Sequence, residues 1–195
     1  LLVSASVALA TLLPLSMAYA QAWPTKPVRV VVPFAAGGPA DALARFLANK
    51  MAADVGQTIV IDNKGGAGGT LGAADVIRSN DGHSLLFSST GALVIVPALT
   101  PNLSYNPERD LAAIGQAVIT PSVIVVSAKS PFNTLADLVK FAKANPGKLN
   151  FASAGSGTST QLGAELLKKE AGIFMTHIPY RGAAPATTDL IAGVA

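Results

Sequence analysis

Ser153-Ala154-Gly155-Ser156-Gly157-Thr158-Ser159-Thr160 is a run of hydroxyls and glycines ahead of a helical stretch. The first N–H groups of a helix have no partner inside it, and with the helix dipole they attract an anion. One hydroxyl of the run is expected to cap the helix. Capping does not use eight small residues, so Gly155, Ser156, Gly157, Thr158 and Ser159 are read as a binding loop. Phe34-Ala35-Ala36-Gly37-Gly38-Pro39-Ala40-Asp41 has the same character. Its two glycines allow a ligand close to the backbone, and Pro39 suits the first helical position, where an N–H has no helical use. Asp41 has two readings, a residue satisfying its own helix start or a polar contact to ligand.

Three further loops follow strands. Gly65-Gly66-Ala67-Gly68-Gly69-Thr70-Leu71-Gly72 looks like a dinucleotide loop, but Leu71 stands where the third glycine belongs. It also lacks the Lys-Ser/Thr of a phosphate loop, so a tight turn with close helix packing is the better reading. Ser88-Ser89-Thr90-Gly91-Ala92 offers Ser89 and Thr90. Pro179-Tyr180-Arg181-Gly182-Ala183 offers Arg181, a surface charge or a counter-charge to a carboxylate, and Gly182.

Groups that turn a substrate over are scarce. No Gly-x-Ser-x-Gly elbow occurs, and no pair of carboxylates has a reason to work together. His83 is expected in a turn and His177 inside a strand, neither with an evident orienting carboxylate. No catalytic residue, metal ligand or cofactor is assigned. The pattern describes binding without turnover.

These loops need strands to aim them. Val28–Val32 is a β-branched run of the kind a buried parallel strand requires. Leu43, Phe46, Leu47 and Met51 then share a helical face that Gly56 ends. Further strands are expected at 58–61, 85–87, 123–126, 149–152 and 174–179, with helices through Ile77, after Thr134, over 160–171 and over 184–192. Thr134 and Asp137 form a capping box, Asn145-Pro146-Gly147 ends that helix, and Gly172 ends the next. Between Gly91 and Thr120 the rhythm breaks, with no clear amphipathic helix. Thr120-Pro121-Ser122 is the expected hinge. Strand–helix alternation specifies parallel sheets, whose ligands bind beyond the C-terminal ends of the strands.

Composition agrees. The chain has 195 residues, half of them hydrophobic and 13% charged, which is enough for a real core. It has no Cys, excluding disulfides, thiol catalysis and Cys-bound metal. The net charge of +3 has no Lys/Arg-rich run behind it, so nucleic acid is not the expected partner and an anionic small molecule is mildly favoured. Residues 1–20 carry no charge and end in Ala18-Tyr19-Ala20, which reads as a secretory signal peptide. A membrane anchor is the alternative, weakened by Pro14 and the scattered serines. The expected body is an exported protein beginning near Gln21. The start at Leu1 and the stop at Ala195 read as those of a fragment.

VVPFAAGGPAD (31–41), NKGGAGGTLG (63–72), AKANPGKLNFASAGSGTSTQLGAELLKKEAG (142–172) and HIPYRGAAPATTDLIAG (177–193) together resemble the tripartite tricarboxylate transporter substrate-binding receptors, the Bug-type family. The likeness runs from Trp23 to the end. It implies a periplasmic solute receptor of the type II periplasmic-binding-protein kind, with two parallel-sheet α/β domains around a cleft and truncated at its C-terminus. The domains are expected at 21–119 and 120–195. The resemblance further implies a small carboxylate held by main-chain N–H groups and water at Phe34–Asp41 and Gly155–Ser159, with loops 88–91 and 180–183 supplying the rest. Membrane permease subunits are the implied partners. Gln161 replaces a common His and Ala40 a common Thr, so ligand identity stays open. A sensor passing its bound state to a signalling partner, and a nucleotide-binding α/β enzyme using the 65–72 loop, are the competing readings.

Overall fold

The computed structural model describes residues 23–194. The expected signal peptide, with Ala18-Tyr19-Ala20, lies outside the described residues. Among the described residues no helix is long and apolar enough to cross a membrane.

The first sheet is built around β1 (Val28–Val32), flanked by β2 (Ile59–Asn63) and β3 (Ser84–Leu86), all parallel in the order β2-β1-β3. Val28, Val31 and Val32 are 1%, 0% and 0% exposed, as a central strand covered on both faces demands. Burying each contributes about 1.5–3 kcal/mol before entropy is counted. Arg29 is the one charge in β1. Its guanidinium meets Asp75 at 2.7 Å and Asp62 at 3.1 Å, and its Nε donates to Ser84. After β1 comes α1 (Pro39–Val55), ended by Gly56 in the left-handed conformation. After β2 a 3₁₀ turn at Ala67–Gly69 leads into α2 (Thr70–Ser79). Ala73, Ala92 and Tyr105 centre this unit's core, and the Tyr105 hydroxyl donates to Ala92 O at 2.6 Å.

The second sheet is the parallel pair β4 (Asn150–Ser153) and β5 (Thr176–Pro179), with Phe151 opposite His177. Three helices serve it: α5 (Leu135–Ala144), α6 (Ser159–Ala171) and α7 (Ala183–Ala192). Leu138, Ala142, Phe151, Ile173 and Met175 form a separate buried cluster. The Thr134–Asp137 capping box forms as the sequence predicts, and Gly172 ends α6 in the left-handed conformation.

Two expectations fail in the middle of the chain. The stretch after Gly91 is helical: a π-helical turn at Gly91–Ile95 continues into α3 (Val96–Leu99), and a short α4 (Pro107–Asp110) follows. Ala92 anchors the first turn in the buried cluster, and no amphipathic period announces the rest. The strand expected at 123–126 does not form. Residues 111–127 carry no regular structure, and Val123 is 77% exposed. A strand is a paired state, and no segment among the described residues pairs with this one, so its β-branched composition is not sufficient.

Candidate functional site

The C-terminal ends of β1, β2, β4 and β5, with the loop after β3, deliver five loops to one place. Ala35 N donates to Arg181 O at 2.9 Å, joining the loop after β1 to the loop after β5. A Cβ on Gly65 would stand 2.7 Å from Arg181 O and 3.0 Å from Ala35 N. One on Gly68 would run into the Ser156 carbonyl oxygen, and one on Gly155 would lie 3.5 Å from Gly68 N. One on Gly91 would lie 3.2 Å from Gly68 O and 3.3 Å from Gly157 O. Glycine is required at Gly68, both for this approach and for its φ of +64°. The glycine-rich 65–72 loop is therefore a packing device at the centre of the cluster. Gly72 against Pro33 continues the same close packing into α2.

The helix starts in this cluster share a property. The N-cap residues are Gly38 for α1, Gly69 for α2, Thr158 for α6 and Gly182 for α7, and none makes a side-chain cap. Away from the cluster, α5 carries a full capping box and α4 is capped by Asn106. A Cβ on Gly38 would be 3.7 Å from Ala184 N, so the starts of α1 and α7 are neighbours.

The expectation that a hydroxyl of the 153–160 run caps α6 is corrected here. Those hydroxyls turn back into their own loop. Thr158 Oγ1 donates to Gly155 O at 2.6 Å, and Thr160 Oγ1 accepts from Ala154 N at 3.0 Å. Ser153 Oγ accepts from Gly155 N at 3.1 Å. The hydroxyls fix the loop's shape and leave the helix start bare.

Phe34 O accepts from Asn63 Nδ2, so Asn63 steadies the first loop. Gly38 is buried, while Ala36 and Gly37 are exposed. Asp41 is 5% exposed, and its Oδ2 accepts from Gly37 N at 2.9 Å and from Arg45 Nε at 3.1 Å. Its Oδ1 lies 3.0 Å from Arg45 Nη2, but no N–H is aimed at it. The Arg45 bond, opposed by burial and reinforced by Gly37, holds the carboxyl below its ordinary range. Asp41 thus serves the loop before its helix. Ser89 Oγ accepts from Gly91 N, while Thr90 is exposed. Ser156 and Ser159 are exposed, and Gly157 and Thr158 are buried. Arg181 enters the cluster through its carbonyl and its side chain is exposed, whereas Gly182 is buried beside Ala35.

His83 and His177 sit in a bend and in β5, as predicted. His177 adds something the sequence did not reveal. Its Nε2 is 2.6 Å from Ser153 Oγ, its Nδ1 is 3.3 Å from Gln161 Nε2, and its ring stacks on Phe151. The signal lay in the parallel register of β4 and β5, which brings the end of one strand beside the other. Among the described residues no group of three His, Asp or Glu side chains is placed to hold a metal.

A profile of the family described as "Tripartite tricarboxylate transporter family receptor" matches residues 43–195. The chain belongs to that family. It is 45% identical over 173 residues to the UPF0065 protein in the tcbD-tcbE intergenic region of Pseudomonas sp. strain P51, covering 88% of this chain and 51% of that protein. Among solved structures it is similar to the periplasmic binding protein BugD, with TM-score 0.76 and 37% identity over 88% of this chain and 57% of BugD. It is also similar to Rpa4515 of R. palustris, solved with adipate, with TM-score 0.76 and 31% identity over 88% of this chain and 57% of that one. The chain spans about half the length of the curated relatives it matches. The two parallel-sheet α/β architecture is that of the periplasmic binding proteins it resembles.

Proposed function

We propose that the protein is an extracytoplasmic receptor that captures a small carboxylate and delivers it to the membrane permease of a tripartite tricarboxylate-type transporter, without a catalytic step. One observation carries the reading. Four helix starts in a single loop cluster have no side-chain cap, whereas α4 and α5, away from it, do. The dipole ends of α1, α6 and α7, and first-turn N–H groups that have no partner inside a helix, suit a carboxylate, while the start of α2 follows a 3₁₀ turn that uses its own. The adipate complex of a solved relative supports that ligand class. The ligand-holding residues on this reading are Phe34 to Gly38, Ser89, Thr90, Gly155 to Ser159, Arg181 and Gly182, with Asp41 shaping the first loop.

On this reading the body divides at 119/120 into two units, which the presence of two sheets and two apolar clusters supports. A ligand touching loops of both units favours whichever arrangement lets it reach both. Residues 1–20 act as the export signal, and the working location is the periplasm. Calorimetric titration of the whole mature protein with adipate, malate, citrate and ATP tests the proposal. Heat of binding with at least one carboxylate is expected. Binding of ATP alone overturns the receptor reading in favour of a nucleotide site.

A further inference from the structure

The orientation of every group around His177 follows from one fixed donor. The backbone N–H of Gly157 can only donate, and its partner at 2.7 Å is Gln161 Oε1. The other end of that amide, Nε2, therefore faces His177 Nδ1 at 3.3 Å and donates to it. Nδ1 is then the bare nitrogen, and the ring proton sits on Nε2, donating to Ser153 Oγ at 2.6 Å. Ser153 Oγ also accepts from Gly155 N, so its own proton goes to Gly155 O at 3.2 Å. All of these bonds are satisfied only while His177 is neutral. A second proton, on Nδ1, would set a donor against the Gln161 NH₂. If the amide swings round, its NH₂ faces Gly157 N–H instead, and if it swings away, Gly157 N–H has no acceptor. Either way the Gly157 amide is released.

We propose that Gln161 is a positioning residue that passes the protonation of His177 to the Gly157 amide, making that amide a proton-dependent donor at the loop cluster. The charged groups that reach the ring are Glu165 and Lys168, both on α6, and they are paired with each other at 2.8 Å. From β4 the ring meets Phe151 and Ser153. Burial, the largest influence, lowers the His177 pKa from its ordinary 6.5. The network is therefore intact at neutral pH and opens only below the ordinary histidine value. The consequence for ligand rests on the carboxylate reading: a released N–H beside a new positive charge binds an anion more tightly.

The test is nuclear magnetic resonance of the ¹⁵N-labelled intact protein from about pH 8 to about pH 5, the range over which histidine titrates. His83 is an internal control, since its Nε2 accepts from Thr25 N and its Nδ1 faces Asp81 O, which fixes the opposite tautomer. His177 is expected as the Nε2–H tautomer, with the Gly157 amide shift changing at the His177 midpoint. Gln161→Ala should abolish the Gly157 change while His177 still titrates. Gln161→Glu should raise the His177 pKa and keep Gly157 bonded throughout. An Nδ1–H tautomer for His177, or a Gly157 amide indifferent to its titration, overturns the proposal. Adipate affinity measured across the same range provides a separate arm, with His177→Asn cancelling the ligand's own titration. A steeper gain toward acid in the parent protein is expected. Equal pH profiles for parent and variant overturn the ligand consequence, and failure of adipate and every other carboxylate to bind at any pH overturns the carboxylate reading instead.

Discussion

The amide of Ala35 donates to the carbonyl oxygen of Arg181 at 2.9 Å, a main-chain bond that fastens the exit of β1 to the exit of β5. It links two sheets that share no strand. Because the link is peptide to peptide, it tolerates side-chain change at both residues and depends on the space around it.

Gly65 guards that space. A methyl group there would be 2.7 Å from Arg181 O and 3.0 Å from Ala35 N, closer than packed atoms sit. Gly65→Ala should destabilise the protein by about 1–3 kcal/mol, the usual cost of overpacking. Urea denaturation reads the loss of stability. Adipate titration should show weakened binding, since the loops would be pushed apart. A variant as stable as the parent would mean the contact is slack.

Gly38 allows the bare helix starts to be tested directly. Its φ of −86° and ψ of 173° are those of an ordinary N-cap, and a Cβ there meets Ala35 O at 3.5 Å and Ala184 N at 3.7 Å, both comfortable. Gly38→Asp brings a built-in carboxylate to the first turn of α1. Stability should fall by about 1–3 kcal/mol, because the new carboxylate enters a buried position one turn from Asp41. Adipate affinity should fall at least about tenfold, roughly 1.4 kcal/mol. Calorimetry measures both quantities, and undiminished binding would place the ligand elsewhere.

The Arg29–Asp75–Lys64 cluster makes stability pH-dependent. Asp75 is held below its ordinary value of 3.8, first by the Lys64 hydrogen bond and then by Arg29, against an opposing push from burial. A lowered carboxyl pKa means the folded state binds fewer protons than the unfolded one. Its stabilisation is present above the ordinary value and is lost as the pH falls through the lowered one. Asp75→Ala should cost on the order of 1 kcal/mol at neutral pH, after discounting for partial exposure. The gap between parent and variant should narrow in urea titrations at about pH 3, and a gap of constant size would argue for packing in place of charge.

Thr134 provides the contrasting case. Its Oγ1 accepts from Asp137 N at 3.2 Å while Asp137 Oδ2 accepts from Thr134 N at 2.9 Å. Thr134→Ala should lower stability by about 1 kcal/mol and leave adipate affinity unchanged. Thermal unfolding and calorimetry together separate this structural cap from the uncapped starts.

Local punctuation was legible in the residues. Gly56 and Gly172 end helices because the left-handed C-terminal turn favours glycine, and Thr134 with Asp137 announces a helix start. The loop cluster was legible because small residues recur at the ends of strands. What escaped depended on partners distant in sequence. Val123–Val126 reads as a strand, yet pairing decides, and none is available within 23–194. Gly91–Leu99 is helical although only its first turn is anchored, by Ala92, in a buried cluster made with residues distant in sequence. A hydroxyl of 153–160 is expected to cap, but Ser153, Thr158 and Thr160 bond within their own loop instead, a choice set by the loop's fold and not by spacing. The Gln161–His177 contact crosses from a helix to a strand end, which spacing alone does not show.

The stretch from Ile119 to Val126 has a practical consequence for anyone handling this polypeptide. Ile119, Val123, Ile124 and Val125 are 83%, 77%, 60% and 60% exposed. Apolar side chains exposed together over one stretch favour contact between molecules. Light scattering that rises with protein concentration, and falls when Val123 is changed to lysine, would trace self-association to this stretch.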